Sequence, residues 1–222
     1  MKPTITLAEC RTPRGDRLTL IRHDRDFFLM LGGEQLMSTN ACASEQRMAE
    51  LGCTDLPGKA RVLIGGFGFG FTLRRVLELM PPGSDPVAVA ELLPEILAWN
   101  REFLQSVNGG LLDDARVKVE LRDVFDFLSA TGALRYHAIL MDVDNSPDPL
   151  VQRENARLYS EPGLQRIHSA LHPEGRVVFW SGCRDDAFAR SLRGTFHHVE
   201  CIPAKPYPGA RRFTHTLFVA KK

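Results

Sequence analysis

The sequence predicts an α/β fold in which helices cover both faces of a mostly parallel β-sheet. Three observations support this prediction. From residue 60 onward, short apolar runs alternate with segments of helical periodicity. The last two apolar runs have a proline-containing loop and no helix between them, so we expect an antiparallel strand pair at the C-terminal end of the sheet. The first 40 residues contain only short apolar runs and turn signals, which predicts a small N-terminal β cap.

The cap is predicted from two apolar runs, residues 18–21 and 27–31, which are separated by charged residues and followed by a glycine pair. A helix over residues 44–51 then leads through Pro57 and Gly58 into the main domain. We therefore divide the chain into a β-strand cap, residues 1–40, and a main domain, residues 41–222.

The main sheet is predicted to contain five parallel strands, at residues 61–64, 87–90, 117–121, 137–141 and 176–180. A helix follows each of the first four strands, and Ser160 is the expected N-cap of the last of these helices. The apolar faces of the helices carry Leu73, Val76, Leu77 and Met80; Ile96, Trp99 and Phe103; Phe125 and Leu128; and Leu164, Ile167 and Leu171. With the antiparallel tail strands, residues 198–202 and 214–219, this is the pattern of a Rossmann-like methyltransferase sheet.

Composition argues against several classes of protein. The 222-residue chain has a formal net charge of +1, so no strong overall field attracts it to nucleic acid or membranes. No apolar run approaches the roughly 20 residues of a membrane span, and the N-terminus lacks the apolar segment of a signal peptide. The five cysteines lie far apart without a Cys-x-x-Cys pair, which favours reduced thiols and argues against a structural metal site. We therefore expect a cytoplasmic protein with no metal, no nucleic-acid partner and no membrane partner.

A glycine-rich loop, residues 64–72 with the sequence IGGFGFGFT, follows the first main-domain strand and begins a helix. Glycines allow the backbone to approach a ligand closely, and the free N–H groups of a helix N-terminus bind a phosphate or a methionine carboxylate. A loop that serves packing alone is the alternative, but the strand–loop–helix context favours nucleotide binding. We therefore expect Gly66, Phe67, Gly68 and Gly70 to contact a nucleotide.

Two acids follow the next two strands. Glu91 lies about twenty residues after the glycines, where an acid accepts hydrogen bonds from ribose hydroxyls. NAD-binding proteins share this acid, so the glycine loop and Glu91 leave the nucleotide open. Asp123 either accepts a hydrogen bond from an adenine amino group, with Val124 packing on the ring, or caps the following helix. Spacing alone favours neither role.

A polar segment that contains Asp142, Asp144 and Asn145 follows the fourth strand, at the sheet edge where ligands of open α/β sheets bind. An acceptor amine enters mainly as an ammonium ion, because a free alkylamine has a pKa of about 10. It must lose a proton before it attacks a sulfonium carbon. Asp142 would attract the ammonium, orient it and accept that proton. A polar turn is the alternative, but the convergence of several motifs on one sheet edge favours the functional role.

The order of these motifs resembles the spermidine synthase (polyamine aminopropyltransferase) family, a branch of the class I S-adenosylmethionine-dependent methyltransferase fold. The resemblance runs from about residue 15 to the C-terminus and is carried mainly by residues 62–74, 91–95, 122–128 and 139–142. It implies that Glu91 binds ribose, Asp123 the adenine amino group and Asp142 the acceptor amine. It also implies a homodimer in which the N-terminal strands form a contact.

The chain departs from the family pattern at the donor tail and at the acceptor. Phe69 stands where the family usually has an Asp, which holds the amino end of decarboxylated S-adenosylmethionine and repels the carboxylate of S-adenosylmethionine. The family's Tyr-His pair in the N-terminal helix appears as Ser44 and Glu45, and its Asp-Ser-Ser-Asp run appears as residues 142–145.

Four residues are the expected acceptor-binding set: Glu45, Asp144, Asn145 and Trp180. Trp180 ends the fifth strand and could line the acceptor pocket, although a buried core position is the commoner use of Trp. Asp142 and Asp144 are the expected catalytic residues.

We therefore expect a transferase that alkylates a small nucleophile, most simply an amine, with an S-adenosyl sulfonium donor. Methyl transfer from S-adenosylmethionine is the first hypothesis, because Phe69 removes a charge that would repel the methionine carboxylate. Aminopropyl transfer from decarboxylated S-adenosylmethionine is the alternative that the family resemblance implies. A non-catalytic nucleotide-binding partner is a third possibility, against which the two retained acids, Asp142 and Asp144, argue.

Overall fold

The computed structural model describes residues 3–130, 135–143 and 155–222, which form two β-sheets and the helices that pack against them. The N-terminal sheet is antiparallel, with strand order β1–β2–β3–β4. Its strands are β1 (Thr4–Arg11), β2 (Arg17–His23), β3 (Asp26–Leu31) and β4 (Glu34–Ser38). The two strands predicted in the cap correspond to β2 and β3, whereas β1 and β4 were not predicted.

The main sheet has seven strands in the order β10–β11–β9–β8–β5–β6–β7. The strands are β5 (Val62–Gly65), β6 (Val87–Glu91), β7 (Val117–Leu121), β8 (Tyr136–Met141), β9 (Leu171–Ser181), β10 (His198–Ala204) and β11 (His215–Lys221). Strands β5 to β9 pair in parallel, and β11 pairs antiparallel with both β9 and β10. The predicted fold, a mostly parallel sheet that ends in an antiparallel C-terminal pair, is confirmed.

The described helices lie between these strands. They are α1 (Ala43–Cys53), α2 (Phe71–Leu79), α3 (Pro94–Glu102), α4 (Gln105–Asn108), α5 (Val124–Ala130), α6 (Ala156–Tyr159), α7 (Glu161–Ala170) and α8 (Asp186–Arg193), with a 3-10 turn at Leu111–Asp113. Ser160 caps α7 as predicted, because its side chain accepts a hydrogen bond from the Gly163 N–H.

Three residues predicted on apolar helix faces lie just beyond the helices. Met80 and Phe103 are C-caps of α2 and α3, and Leu171 is the first residue of β9. All three still pack against the apolar core, so the periodicity identified the buried face correctly but overran the helix ends.

The strand order reverses at β5, which has β6 on one side and β8 on the other. In open α/β sheets, ligands bind at such a switch point, beyond the carboxyl ends of the strands. The inner face of the cap belongs to the same apolar cluster as the main domain, in which Leu18 and Leu29 join Met48 and Phe67. The cap therefore covers the sheet edge where the glycine loop emerges.

Every helix within the described ranges is too short or too polar to cross a membrane.

Candidate active site

A cavity of about 950 Å³, including its open mouth, lies at the carboxyl ends of β5, β6, β7, β8 and β9. The cap contributes one wall through Leu18, Leu29, Leu36 and Met37. The opposite wall carries acids among apolar residues and is built mainly from residues at or just after the strand ends. The sheet therefore brings Gly66, Glu91, Asp123 and Asp142 together in one place.

The glycine loop lines this cavity through Gly66 and Gly68, which both have positive φ. A Cβ atom on Gly66 would overlap the backbone carbonyl oxygen of Asp142, and one on Gly68 would lie 2.8 Å from the Met37 methyl group. Both positions need glycine because the loop packs closely against β8 and the cap. This packing leaves the loop backbone exposed to a ligand in the cavity.

Two other residues predicted to contact a nucleotide lie behind the loop. Phe67 is 5% exposed and packs in the core, and Gly70 is the N-cap of α2, beneath Leu111 and the Phe67 ring. Neither residue lines the cavity, because the loop turns both toward the core, and their predicted contact with a nucleotide stays a prediction. Phe69 is also buried there, with its ring edge-on to that of Phe71.

Glu91 is buried at the end of β6 and lines the cavity. One carboxylate oxygen accepts a hydrogen bond from the Phe67 N–H at 2.8 Å, and the other accepts one from the Leu93 N–H at 2.8 Å. Burial raises the pKa of Glu91, and these backbone donors partly oppose the rise. Glu91 therefore fixes the glycine loop to the start of α3, and the backbone N–H groups of Leu92 and Gly68 also act on its carboxylate.

Asp123 begins α5, and both of its predicted roles fit its position. Its Oδ1 accepts a hydrogen bond from the Phe125 N–H at 2.8 Å, which is the helix-capping role. Its Oδ2 forms an ion pair with Arg157 at 3.0 Å, and the residue also lines the cavity beside Val124. The capping bond orients the carboxylate at the cavity wall.

Asp142 follows β8 directly and lies partly buried on the cavity wall. Its Oδ2 accepts a hydrogen bond from the Thr72 hydroxyl at 2.7 Å, a contact from the first turn of α2 that the sequence analysis did not identify. Burial raises the pKa of Asp142 above its ordinary value, and the Thr72 hydrogen bond opposes this rise.

Glu45 in α1 provides a second carboxylate on the same cavity, and this one is buried. The Ser44 hydroxyl donates a hydrogen bond to its Oε2 at 2.5 Å, and His215 Nδ1 lies 3.1 Å from the same hydroxyl oxygen. Burial raises the pKa of Glu45, and the negative charge of Asp142 raises it further. Near neutral pH, the pair therefore does not carry two full negative charges, and a cation that enters the cavity would favour ionisation of both.

Trp180 lines the cavity as predicted, and its ring lies 4.7 Å from the ring of His215. Within the described ranges, the buried indole Nε1 has no hydrogen-bond partner. The other two predicted acceptor-binding residues, Asp144 and Asn145, lie outside the described residues. Among the described residues, no three His, Cys, Asp or Glu side chains are grouped as a metal ion would require.

Comparison with known proteins identifies the family. The model of the spermine/spermidine synthase domain matches residues 41–185, which include the glycine loop, Glu45, Asp123, Asp142 and Trp180. The chain belongs to the spermine/spermidine synthase family. The resemblance that the motifs indicated is thereby confirmed.

Curated members of this family align with part of the chain. A polyamine aminopropyltransferase from Synechococcus sp. is 33% identical over 122 residues, which is 55% of this chain and 37% of the relative. Polyamine aminopropyltransferase 1 from Hyperthermus butylicus is 30% identical over 152 residues, which is 65% of this chain and 50% of the relative. The chain thus spans half or less of the length of these relatives.

Solved spermidine synthases share the fold. One structure, in complex with the transition-state analogue AdoDATO, superposes with a TM-score of 0.81 at 18% identity and covers 98% of this chain and 73% of the other. The enzyme from Thermotoga maritima gives a TM-score of 0.77 at 19% identity. The comparisons do not support our first hypothesis of methyl transfer, because the relatives are aminopropyltransferases. They favour the alternative.

Proposed function

We propose that this spermine/spermidine synthase family member is an enzyme that transfers the aminopropyl group of decarboxylated S-adenosylmethionine to a small amine. The observation that carries the proposal is a pair of carboxylates on the wall of the cavity that the glycine loop also lines: Glu45, which is buried, and Asp142, which is partly buried. Such an acid pair without a cation is costly, and an incoming ammonium group would offset that cost.

The same acid pair favours the decarboxylated donor. S-adenosylmethionine carries a carboxylate, whereas its decarboxylated form ends in an ammonium group. At about 5 Å and an effective dielectric constant of about 20, one unit charge contributes about 3 kcal/mol of attraction or repulsion. Phe69 removes a charge from the loop, but Glu45 and Asp142 keep the cavity anionic when they are ionised.

The adenosine part of the donor would lie between the glycine loop and α5. The backbone at Gly66 and Gly68 would contact the donor, and the Glu91 carboxylate would accept hydrogen bonds from the ribose hydroxyls. Asp123 would accept from the adenine amino group, with Val124 on the ring face. These assignments follow the family resemblance and agree with the cavity lining.

The reaction needs positioning and a proton acceptor. The amine nitrogen forms a bond to the aminopropyl carbon next to sulfur, the carbon–sulfur bond breaks, and its electron pair stays on sulfur as a neutral thioether. The incoming ammonium must first give up a proton, and Asp142 would accept it at Oδ1, because Thr72 already bonds Oδ2.

The direct test is product analysis. The purified chain is incubated with a short diamine and either decarboxylated S-adenosylmethionine or S-adenosylmethionine, and products are separated by mass spectrometry. We expect methylthioadenosine and an aminopropylated amine from the decarboxylated donor alone. Formation of S-adenosylhomocysteine and a methylated amine would instead establish methyl transfer. Calorimetric titration with both donors and NAD separates binding from turnover, and binding of neither sulfonium donor would refute both activities.

A cytoplasmic location, a homodimer through the N-terminal strands and a domain boundary near residue 40 remain proposals. Light scattering of the purified chain tests the dimer: a monomer at micromolar concentration would contradict it.

A further inference from the structure

A hydrogen-bonded chain of three side chains runs from the cavity through Ser44 to the partly exposed His215. Glu45 lines the cavity, Ser44 is fully buried behind it, and His215 on β11 is partly exposed. The Ser44 hydroxyl lies 2.5 Å from Glu45 Oε2 and 3.1 Å from His215 Nδ1. The three groups therefore form a continuous path of proton donors and acceptors from the cavity wall outward.

We propose that Glu45, Ser44 and His215 form a relay that carries the proton released by the acceptor amine out of the cavity. This inference rests on the proposed function, since it assigns a route for the proton that aminopropyl transfer releases. Glu45 would contact the amine, whereas Ser44 and His215 act through Glu45.

The proton balance of the relay closes at every atom. The acceptor ammonium gives one proton to Asp142 Oδ1, and the Glu45 carboxylate takes that proton up from Asp142 across the cavity. His215 exchanges its Nδ1 proton through solvent for one on Nε2. The Glu45 carboxyl group then gives a proton from Oε2 to Ser44 Oγ, while the Ser44 hydroxyl proton moves to the free Nδ1 of His215. The imidazolium ion of His215 finally releases a proton to solvent, and the three side chains return to their initial charges.

The charges around the relay favour this direction of transfer. Glu45 faces Asp142 at the end of β8 and Cys42 just before α1, and both lie within electrostatic range of its carboxylate. Burial, and then the charge of Asp142, raise the pKa of Glu45, which makes Glu45 a better proton acceptor. Burial lowers the pKa of His215, so the imidazolium does not retain the proton. The aromatic face of Trp180 covers one side of His215.

The hydrogen bonds of the relay must reverse when Glu45 takes up a proton. Ser44 has one hydroxyl proton, so a Ser44 that donates to ionised Glu45 must accept from Nδ1–H of His215. When Glu45 is protonated on Oε2 it donates to Ser44, and Ser44 then donates to an unprotonated Nδ1. The tautomer of neutral His215 therefore reports the protonation state of Glu45.

The first experiment measures this tautomer without turnover. The free protein is labelled with 15N-histidine, and the ring nitrogens of His215 are followed by NMR against pH. We expect the Nδ1–H tautomer at high pH and the Nε2–H tautomer at lower pH, where Glu45 is protonated. Ser44→Ala should uncouple the tautomer from pH. A single tautomer of neutral His215 throughout, in both proteins, would overturn the relay.

The second experiment measures turnover with decarboxylated S-adenosylmethionine and putrescine. We expect His215→Ala to lower kcat by roughly 100-fold without a change in the KM of the donor, and added imidazole to restore part of the rate. Ser44→Ala should lower kcat similarly and be insensitive to imidazole. The matched control is His198→Ala, because His198 is exposed on β10 and pairs with Glu200 away from the cavity. This variant should retain the wild-type rate.

The two experiments distinguish the relay from the proposed function. If the wild type shows the pH-dependent tautomer switch of His215 but has no aminopropyltransferase activity, the proposed function is refuted and the coupling between Glu45 and His215 stands. An active wild type whose Ser44→Ala and His215→Ala variants keep its kcat and pH profile would overturn the relay alone.

Discussion

The buried carboxyl group of Glu45 should make the protein less stable as the pH rises, and Glu45→Gln should remove that dependence. Glutamine is a neutral side chain of the same shape, and its oxygen can still accept the hydrogen bond of the Ser44 hydroxyl. The substitution therefore removes the charge while it keeps the packing and the hydrogen bond.

The magnitude follows from the pKa of Glu45, which burial and then the charge of Asp142 raise from 4.5 to about 8. Between these two pH values, the folded protein holds a proton that the unfolded chain releases, so the free energy of unfolding falls as pH rises. The difference, 8 − 4.5, is about 3.5 units, and at about 1.4 kcal/mol per unit it gives at most about 5 kcal/mol. Water in the cavity reduces the desolvation, so we expect about 2 to 5 kcal/mol.

The assay is urea denaturation of the wild type and of Glu45→Gln at pH 5 and pH 8. At pH 5 the two proteins should have nearly equal free energies of unfolding, because Glu45 is protonated in the fold. At pH 8 the variant should be the more stable by about 2 to 5 kcal/mol. The matched control, Glu34→Gln on the exposed edge of β4, should retain the pH dependence of the wild type. Parallel pH profiles for wild type and Glu45→Gln would refute the argument.

Three further predictions concern the same cavity. Gly66→Ala should lower the melting temperature more than Gly68→Ala. Both residues have positive φ, but a Cβ on Gly66 meets a backbone carbonyl, whereas a Cβ on Gly68 meets the flexible end of Met37. Equal decreases in melting temperature would contradict this argument. Asp142→Asn should bind methylthioadenosine, which lacks the charged donor tail, nearly as tightly as the wild type in calorimetry but lose at least roughly 100-fold in kcat, whereas weaker binding of methylthioadenosine would place Asp142 in the nucleotide site. Thr72→Val should raise the pKa of Asp142 and move the acidic limb of the kcat/KM profile to higher pH, and an unchanged profile would exclude this hydrogen bond as a determinant of that pKa.

The parallel strands were predictable because both of their faces are buried. Every residue of β5 is buried, and β6 and β8 are nearly so, which gives the continuous apolar runs seen in the sequence. By contrast, β1 is exposed at five of its eight residues and only partly buried at the other three, so its sequence TITLAECR carries no strong apolar pattern. Pairing with β2 along its length, rather than burial, holds this strand in place.

The cavity residues that lie at the carboxyl ends of parallel strands were predictable from the sequence. Gly66, Glu91, Asp123 and Asp142 each follow a parallel strand, and such residues meet at the carboxyl edge of the sheet. The partners that tune these acids were not predictable, since they come from distant parts of the chain. Ser44 and His215 are 171 positions apart, and no local pattern indicates that β11 brings them together.

Two departures from the family pattern, the loss of an acid from the glycine loop and the gain of an acid on α1, together move one negative charge within the cavity. The family resemblance implies an Asp at position 69, where this chain has a buried Phe, and a Tyr-His pair where it has Ser44 and Glu45. One carboxylate is thus absent from the glycine loop and one is present on α1, on the wall of the same cavity. A cation in the cavity then experiences a similar total charge from a different direction, nearer to Asp142. Phe69 therefore does not by itself favour a donor with a carboxylate, and in the proposed function the acid pair of Glu45 and Asp142 would determine which donor tail the cavity accepts.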